Sequence, residues 1–258
     1  MKKHFSLTRT LVAATLANLL VGFHPAQAQT VLVDFGNSSS FRGVSQVGTD
    51  SLGHTWTSVW SGAFYSNLPD SSGAATTIDF GFTTPGGTDS YNGPAGATSI
   101  PPTVGEIATA AAAVNVGALG MLGGSGEVVM DFYINSTFQI QGLTTGQQYD
   151  VKFFGSHKFG ATTTRYTAFT DNTFTTPISF VDLVVNPGGG GTINSDQFAT
   201  ATLTPDGSGI IFIGFADALG VGNGYLNTMS ITPVPEPSSI ILLAGGTFLL
   251  ATFRRLRR

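Results

Sequence analysis

The middle of this chain predicts an all-β fold, a sandwich or barrel of antiparallel strands, and three observations carry that expectation. Apolar residues fall in short runs rich in Val, Ile, Phe, Tyr and Thr, the residues that fit a pleated surface. Turn sequences separate the runs, as in Leu143-Thr144-Thr145-Gly146 and Thr204-Pro205-Asp206-Gly207, where Gly and Pro supply the backbone angles and Asp bonds its own backbone. Within several runs the residues alternate: Ala199, Ala201 and Leu203 take one parity and Phe198, Thr200 and Thr202 the other, which sends one face inward. Many short strands at fairly regular spacing favour a sandwich or barrel over an α/β fold.

In chain order the predicted strands are Val31 to Phe35, Thr55 to Trp60, Thr76 to Phe82, Glu127 to Ile134, Gln148 to Gly155, Arg165 to Thr170, Ile178 to Val185, Gln197 to Leu203, Gly209 to Phe215 and Tyr225 to Ile231. One stretch breaks the pattern. Between Pro101 and Gly120, IATAAAAVNVGALG favours helix through its alanines while its Gly and Val weaken it. A short Ala-rich helix or loop insertion crossing one edge of the sandwich is the expectation there. Gly188 to Gly191 reads as a loop tip, no internal repeat occurs, and one domain over residues 29–232 is the simplest division. The chain has no cysteine, which rules out disulfides, a thiolate nucleophile and Cys-ligated zinc, so stability must come from burying a core.

Both ends differ from this body. At the N-terminus Lys2, Lys3 and Arg9 precede an apolar run from Leu11 to Phe23 and a small-x-small site, Ala26-Gln27-Ala28. Basic, apolar and small zones in that order predict a secretory signal peptide over 1–28, handled by the secretion translocon and signal peptidase, with Gln29 as the mature start. Between Gln29 and Pro237 the only basic residues are Arg42, Lys152, Lys158 and Arg165, and they face all 15 acidic residues, a net charge of -11 against -4 for the whole chain. That balance argues against a nucleic-acid partner, which needs clustered Lys and Arg, and suits a soluble extracellular domain.

At the C-terminus Ile240 to Phe253 runs 14 residues without a charge. As a helix it reaches about 21 Å against a bilayer core of roughly 30 Å, so it is a short transmembrane span, helped by counting from Ser238 and by snorkelling arginines. Arg254, Arg255, Arg257 and Arg258 then act as a membrane stop that fixes the cytoplasmic end. Before the span, Pro235-Glu236-Pro237 cannot be helical and makes an extended, accessible segment at the membrane surface. These three parts, from Val234-Pro235-Glu236-Pro237-Ser238-Ser239 to the arginine cluster, resemble the PEP-CTERM sorting signal of Gram-negative bacteria over residues 233–258. The resemblance implies an exosortase-type membrane protease or transpeptidase as partner, an inner-membrane intermediate held by the C-terminal helix, and a final place at the cell surface or in the extracellular matrix, often with exopolysaccharide and biofilm.

The body offers few chemical constellations. Its two histidines, His54 and His157, are the only candidates for a hydrolase base, and no G-x-S-x-G elbow accompanies them. Asp79, Asp131, Asp150 and Asp182 lie in strand-like runs where an outward solvated residue is expected, and of the glutamates Glu106, Glu127 and Glu236 the last belongs to the tail. No EF-hand loop occurs, and the oxygen-rich loops Asp34 to Asn37 and Asp217 are the candidate calcium ligands at a sandwich edge. Trp56 and Trp60 share strand parity and form a candidate carbohydrate platform, with a core face as the competing role of the same pair.

The order of DFG near Asp34, GLTTGQQYDVKFFGS at Gly142 to Ser156, RYTAFTDN at Arg165 to Asn172, FATATLTPDGSGIIFIGF and the closing GYLNTMSI resembles the galactose-binding-like jelly-roll domains common in PEP-CTERM proteins. The likeness implies a jelly-roll-like antiparallel β-sandwich and carries over no binding residue. The expectation is an exported, non-enzymatic protein, adhesive or structural in exopolysaccharide or biofilm, with extracellular polysaccharide as a candidate ligand and no required cofactor. A secreted carbohydrate-active hydrolase or esterase is the alternative, and a permanently tail-anchored structural protein the third.

Overall fold

The computed structural model describes residues 29–36, 47–59, 63–84, 104–129, 132–157, 162–188 and 192–235. The segment expected to be a signal peptide (1–28), Asn37, Trp60, Asp131, Glu236, Pro237, the apolar run and its arginines lie outside the described residues. The strands are β1 (Val31–Phe35), β2 (Val47–Thr49), β3 (Thr55–Val59), β4 (Phe64–Tyr65), β5 (Asp79–Thr84), β6 (Tyr133–Ile134), β7 (Ser136–Gln141), β8 (Tyr149–Phe154), β9 (Thr163–Phe169), β10 (Pro177–Val184), β11 (Ala199–Leu203), β12 (Ile211–Asp217), β13 (Tyr225–Leu226) and β14 (Thr228–Pro233). Among the described residues, two α-helices, α1 (Val104–Ala113) and α2 (Val116–Leu119), lie between β5 and β6.

The strands form two six-stranded sheets, with orders β11-β8-β14-β1-β3-β2 (sheet A) and β10-β9-β12-β7-β5-β4 (sheet B), and a small β13-β6 pair. From β7 onward the chain passes back and forth between the sheets: β8, β11 and β14 enter sheet A, while β7, β9, β10 and β12 enter sheet B. All pairings are antiparallel except β1 with β3, where Val33 faces Thr57 and Phe35 faces Val59 in parallel register.

The period-two pattern explains the packing. Along β7 the buried residues are Ser136, Phe138 and Ile140, and along β9 they are Thr164, Tyr166 and Ala168, each alternating with half-exposed neighbours. Their inward faces meet those of sheet A in a core that is strongly aromatic. Phe35 of β1 packs edge-on to Phe80 of β5 with ring centres 5.6 Å apart, and Phe153 of β8 stacks on Tyr166 of β9 at 4.4 Å. The buried Tyr166 hydroxyl is satisfied by donating to the carbonyl of Tyr225 at 2.7 Å.

Strand β1 is buried along its whole length, so it must be covered on both faces. The second cover is the helical segment. Leu32, Trp56 and Phe154, on the far face of sheet A, form a separate apolar cluster with Val114, Leu119, Leu122, Val128 and Val129. The Ala-rich insertion therefore lies across a face of the sandwich and not across an edge as expected. Likewise Glu127–Val129 forms a 3-10 turn under that face rather than the start of a strand. The true strand there is β7, whose sparse pattern STFQIQ has only two large apolar residues.

Among the described residues no helix is long and apolar enough to cross a membrane.

Candidate functional site

Two regions of the molecule are candidate sites: the point where β14 hands over to the tail, and the outer face of sheet B. Strand β14 lies inside sheet A, paired on one side with β8, with Ile231 facing Val151 and Pro233 facing Tyr149, and on the other with β1, with Ile231 facing Val31. One residue further, the Val234 amide donates to the Gln148 carbonyl at 2.8 Å, and the Gln147 side-chain amide donates to the Val234 carbonyl. Pro235 is exposed. Val234 alone thus separates the last strand from the proline triplet.

Residues 233–258 match the PEP-CTERM protein-sorting motif. The motif marks the chain as exported, processed by an exosortase and destined for the cell surface. Of the residues expected to form the PEP-CTERM handle, Pro235 is described and stands free of the sheet.

The outer face of sheet B carries side chains in cross-strand rows set by the register. Phe169 of β9 lies opposite Phe212 of β12, and Phe212 lies opposite Gln139 of β7. In the adjacent row Thr167, Gly214 and Thr137 follow one another across β9, β12 and β7. Because Gly214 lacks a side chain, this row sinks into a shallow groove of about 270 Å³, bordered by Phe169, Phe174, Thr137, Thr167 and Arg165. A Cβ at Gly214 would sit 3.0 Å from the Phe169 ring and 3.3 Å from the Thr137 methyl, so any larger residue would fill the floor. Phe174 packs edge-on against Phe169 at 5.5 Å and Phe212 at 6.1 Å, which gives the groove one apolar wall.

The other wall is polar. Arg165 donates from Nε and from a terminal nitrogen to the two carboxylate oxygens of Asp182, each at 2.8 Å, while its guanidinium lies 4.0 Å from the centre of the Phe180 ring. The hydrogen bonds from Arg165 hold the Asp182 carboxyl below the usual carboxylate range, so the pair is ionised and fixed. Three non-glycine residues among those described have a positive φ, and two of them, Asn135 (42°) and Phe174 (54°), border this groove. Such left-handed conformations cost energy in bulky residues and concentrate at ligand-holding positions.

Of the expected sugar platform, Trp60 lies outside the described residues and Trp56 is corrected. Trp56 is 0% exposed, with its indole Nε1–H bonded to Asp50 Oδ2 at 3.0 Å and its ring under the helical cover, so neither face can meet a sugar. Gly124 makes that closeness workable: with φ of 49° and room for no side chain, its Cβ would lie 3.0 Å from the Asp50 carboxylate and 3.2 Å from Trp56.

The histidines are committed separately. His54 lies between β2 and β3, 3.4 Å from Asp50. His157 follows β8, fully buried, with its ring stacked on Tyr225 at 3.7 Å and Nε2 2.8 Å from the Thr162 hydroxyl. Burial pushes its pKa down to about 4, so it is neutral in the fold. The carboxylates are spent locally as well. Asp79 accepts from the Asn67 amide, Asp150 from Thr202, and Asp217, at the far end of the groove, from the amides of Val221 and Gly222. Asp70 and Asp171, held below the usual range by hydrogen bonds from Ser72 and Thr173, close their own turns.

Asp34, the candidate calcium ligand, is fully buried, with Oδ2 accepting from Ser58 at 2.7 Å and Oδ1 without a partner. Burial pushes its carboxyl up to about 8, against the opposing effect of the Ser58 bond, so it holds its proton at neutral pH. Among the described residues no three His, Cys, Asp or Glu side chains gather as a metal-binding group.

No curated protein matches the chain in sequence. Among solved structures it is similar to beta-glucuronidase 2 of Bacteroides uniformis, bound covalently to cyclophellitol-6-carboxylate aziridine, at 14% identity and a TM-score of 0.42, covering 84% of this chain and 18% of that one. A calcium-binding mutant of the same enzyme aligns with the same identity, 14%, and TM-score, 0.42, over 84% and 19% of the two chains. An arabinose-bound alpha-L-arabinofuranosidase aligns at 11% identity and a TM-score of 0.25, over 41% and 20%. The chain spans about a fifth of the length of these enzymes.

Proposed function

We propose that this chain is a non-enzymatic surface protein, divided into a signal peptide (1–28), a jelly-roll domain (29–232) and the sorting tail (233–258), and that the domain binds extracellular polysaccharide in the groove on sheet B. In this reading Pro235, Glu236 and Pro237 are the handle for the exosortase, and Arg254, Arg255, Arg257 and Arg258 are the membrane stop. The jelly-roll assignment is supported by the strand orders: β1-β14-β8-β11 faces β7-β12-β9-β10, and the chain alternates between them, with β2 to β5 added on one side.

The observation that carries the binding proposal is the groove itself. Its Phe169 and Phe174 wall offers apolar ring faces, while Arg165, Thr137 and Thr167 offer hydrogen-bonding groups across a floor opened by Gly214. Apolar surface beside oriented polar groups is the combination a sugar ring requires, CH faces on one side and hydroxyls on the other. The non-enzymatic reading is supported by the local hydrogen bonds that occupy Asp79, Asp150, Asp182 and Asp217, and by the enclosed, neutral His157.

Two measurements test these points separately. Mass spectrometry of the surface-associated protein should show a C-terminus at or near the Pro-Glu-Pro handle, and an intact Arg258 refutes the sorting role. A glycan array probed with the Gln29–Val234 fragment, which contains every described strand, should give signals that Phe174→Ala and Arg165→Ala abolish. A flat array refutes the polysaccharide proposal and leaves the sorting role standing.

A further inference from the structure

We propose that the end of the sandwich formed by the β7–β8, β9–β10 and β11–β12 turns is the face held against the lipid surface before cleavage, resting on the membrane role proposed for the tail. The register fixes this polarity. Strand β1 begins where β14 ends, because Val31 faces Ile231 in antiparallel pairing and the hydroxyls of Thr30 and Thr232 lie 2.9 Å apart. Gln29, the first residue after the predicted signal peptide, and Pro235, the first of the handle, therefore leave the same end of the same sheet. Both membrane-directed segments emerge side by side.

The leash is short. Val234 is pinned to Gln148, and only Pro235 to Ser239 separate it from Ile240, a reach of roughly 20 Å when fully extended. Strands of six to eight residues such as β8, β9 and β10 make the sandwich about as tall as that reach, so the opposite end cannot turn to the membrane on this tether. Nor can β14 be peeled away to lengthen it. It is an interior strand, and its removal would expose the buried Met229 and Ile231 and separate β8 from β1.

The same end has no attraction for phospholipid. Its turns carry Asp70, Asp171 and Asp206 and, among the described residues, no Lys or Arg. Facing anionic headgroups, those carboxylates repel at distances of about a Debye length, roughly 10 Å. Proximity is imposed by the tether alone and ends when the tether is cut.

The absence of cysteine makes the orientation directly measurable. Thr145→Cys places a single label in the exposed β7–β8 turn, and Leu219→Cys places one at the opposite end, where Leu219 is 80% exposed. The chain from Gln29 to Arg258 is reconstituted, label attached, into phosphatidylethanolamine–phosphatidylglycerol vesicles carrying a headgroup quencher. Loss of fluorescence at position 145 and none at 219 is expected, and a long Gly/Ser insertion after Val234 should remove the difference. Equal quenching at both positions, stronger quenching at 219, or none at either in protein that floats with the vesicles overturns the orientation. Protein that does not float at all overturns the tether beneath it, and flotation separates that failure from a failure of orientation.

Discussion

Replacing Asp34 by Asn should flatten a pH dependence that the wild-type fold carries. Asp34 lies on β1 under the helical cover, fully buried, with one oxygen bonded to Ser58 and the other unpartnered. Burial raises its pKa from 3.8 to about 8. Between those values the folded chain keeps a proton that the unfolded chain releases, so stability falls as pH rises, by about 1.4 kcal/mol per pH unit. The contribution is complete below 3.8 and gone above about 8. From about pH 5 to about pH 7 this group alone removes about 2–3 kcal/mol.

His157 acts with the opposite sign: its pKa is lowered from 6.5 to about 4, so the unfolded chain binds the proton first and stability rises with pH across that interval. Below 6.5 the two slopes oppose each other, and only the difference between wild type and Asp34→Asn isolates the carboxyl. Denaturant unfolding of the Gln29–Val234 fragment at the two pH values measures it. A wild-type-minus-variant difference that stays constant within about 0.5 kcal/mol would refute the buried, protonated Asp34.

Ending the chain at Asn227 should abolish cooperative unfolding, because β14 is interior to sheet A and its loss exceeds a typical total stability of about 5–15 kcal/mol, whereas ending it at Val234 should leave a native circular-dichroism spectrum. Trp56→Ala should cost about 3–5 kcal/mol by emptying the space under the helical cover and removing the indole hydrogen bond to Asp50, while any glycan signal from the sheet B groove survives in the folded fraction. Phe174→Ala and Arg165→Ala, at the solvent side of sheet B, should lower the unfolding free energy by no more than about 1 kcal/mol while removing glycan binding.

The strands that could be read directly were those whose pattern is local. Val31 to Phe35 has its predicted bounds, and β8, β9, β10 and β11 fall within two residues of theirs, because alternation and Gly/Pro/Asp turns are properties of adjacent residues. Strand β7 was hidden by its composition. Phe138 and Ile140 are outnumbered by Ser, Thr and Gln, while the richer run just before it, Glu127 to Ile134, is split between a 3-10 turn and a two-residue strand. Val128 and Val129 are apolar because they are buried, but their partners are Leu32 and Trp56, far upstream in the chain.

The candidate sites divide along the same line. The sorting tail is written in contiguous residues, and charge, length and proline chemistry identify its parts without a fold. Which tryptophan is available to a ligand is not local: Trp56 has the parity of a surface platform, but parity names a face and cannot say that residues 104–129 return to cover it. The groove was equally invisible, since Thr137, Arg165, Phe174 and Gly214 become neighbours only through the pairing of β7, β12 and β9. By itself the sequence determined that this chain is a β protein with a sorting address; the tertiary structure decided which surfaces face outward, that the first strand begins at the end of the sandwich where the last one finishes, and which carboxyl loses its water. Those last properties depend on strand order and on what packs across each face, and both are set by contacts between residues distant in the chain.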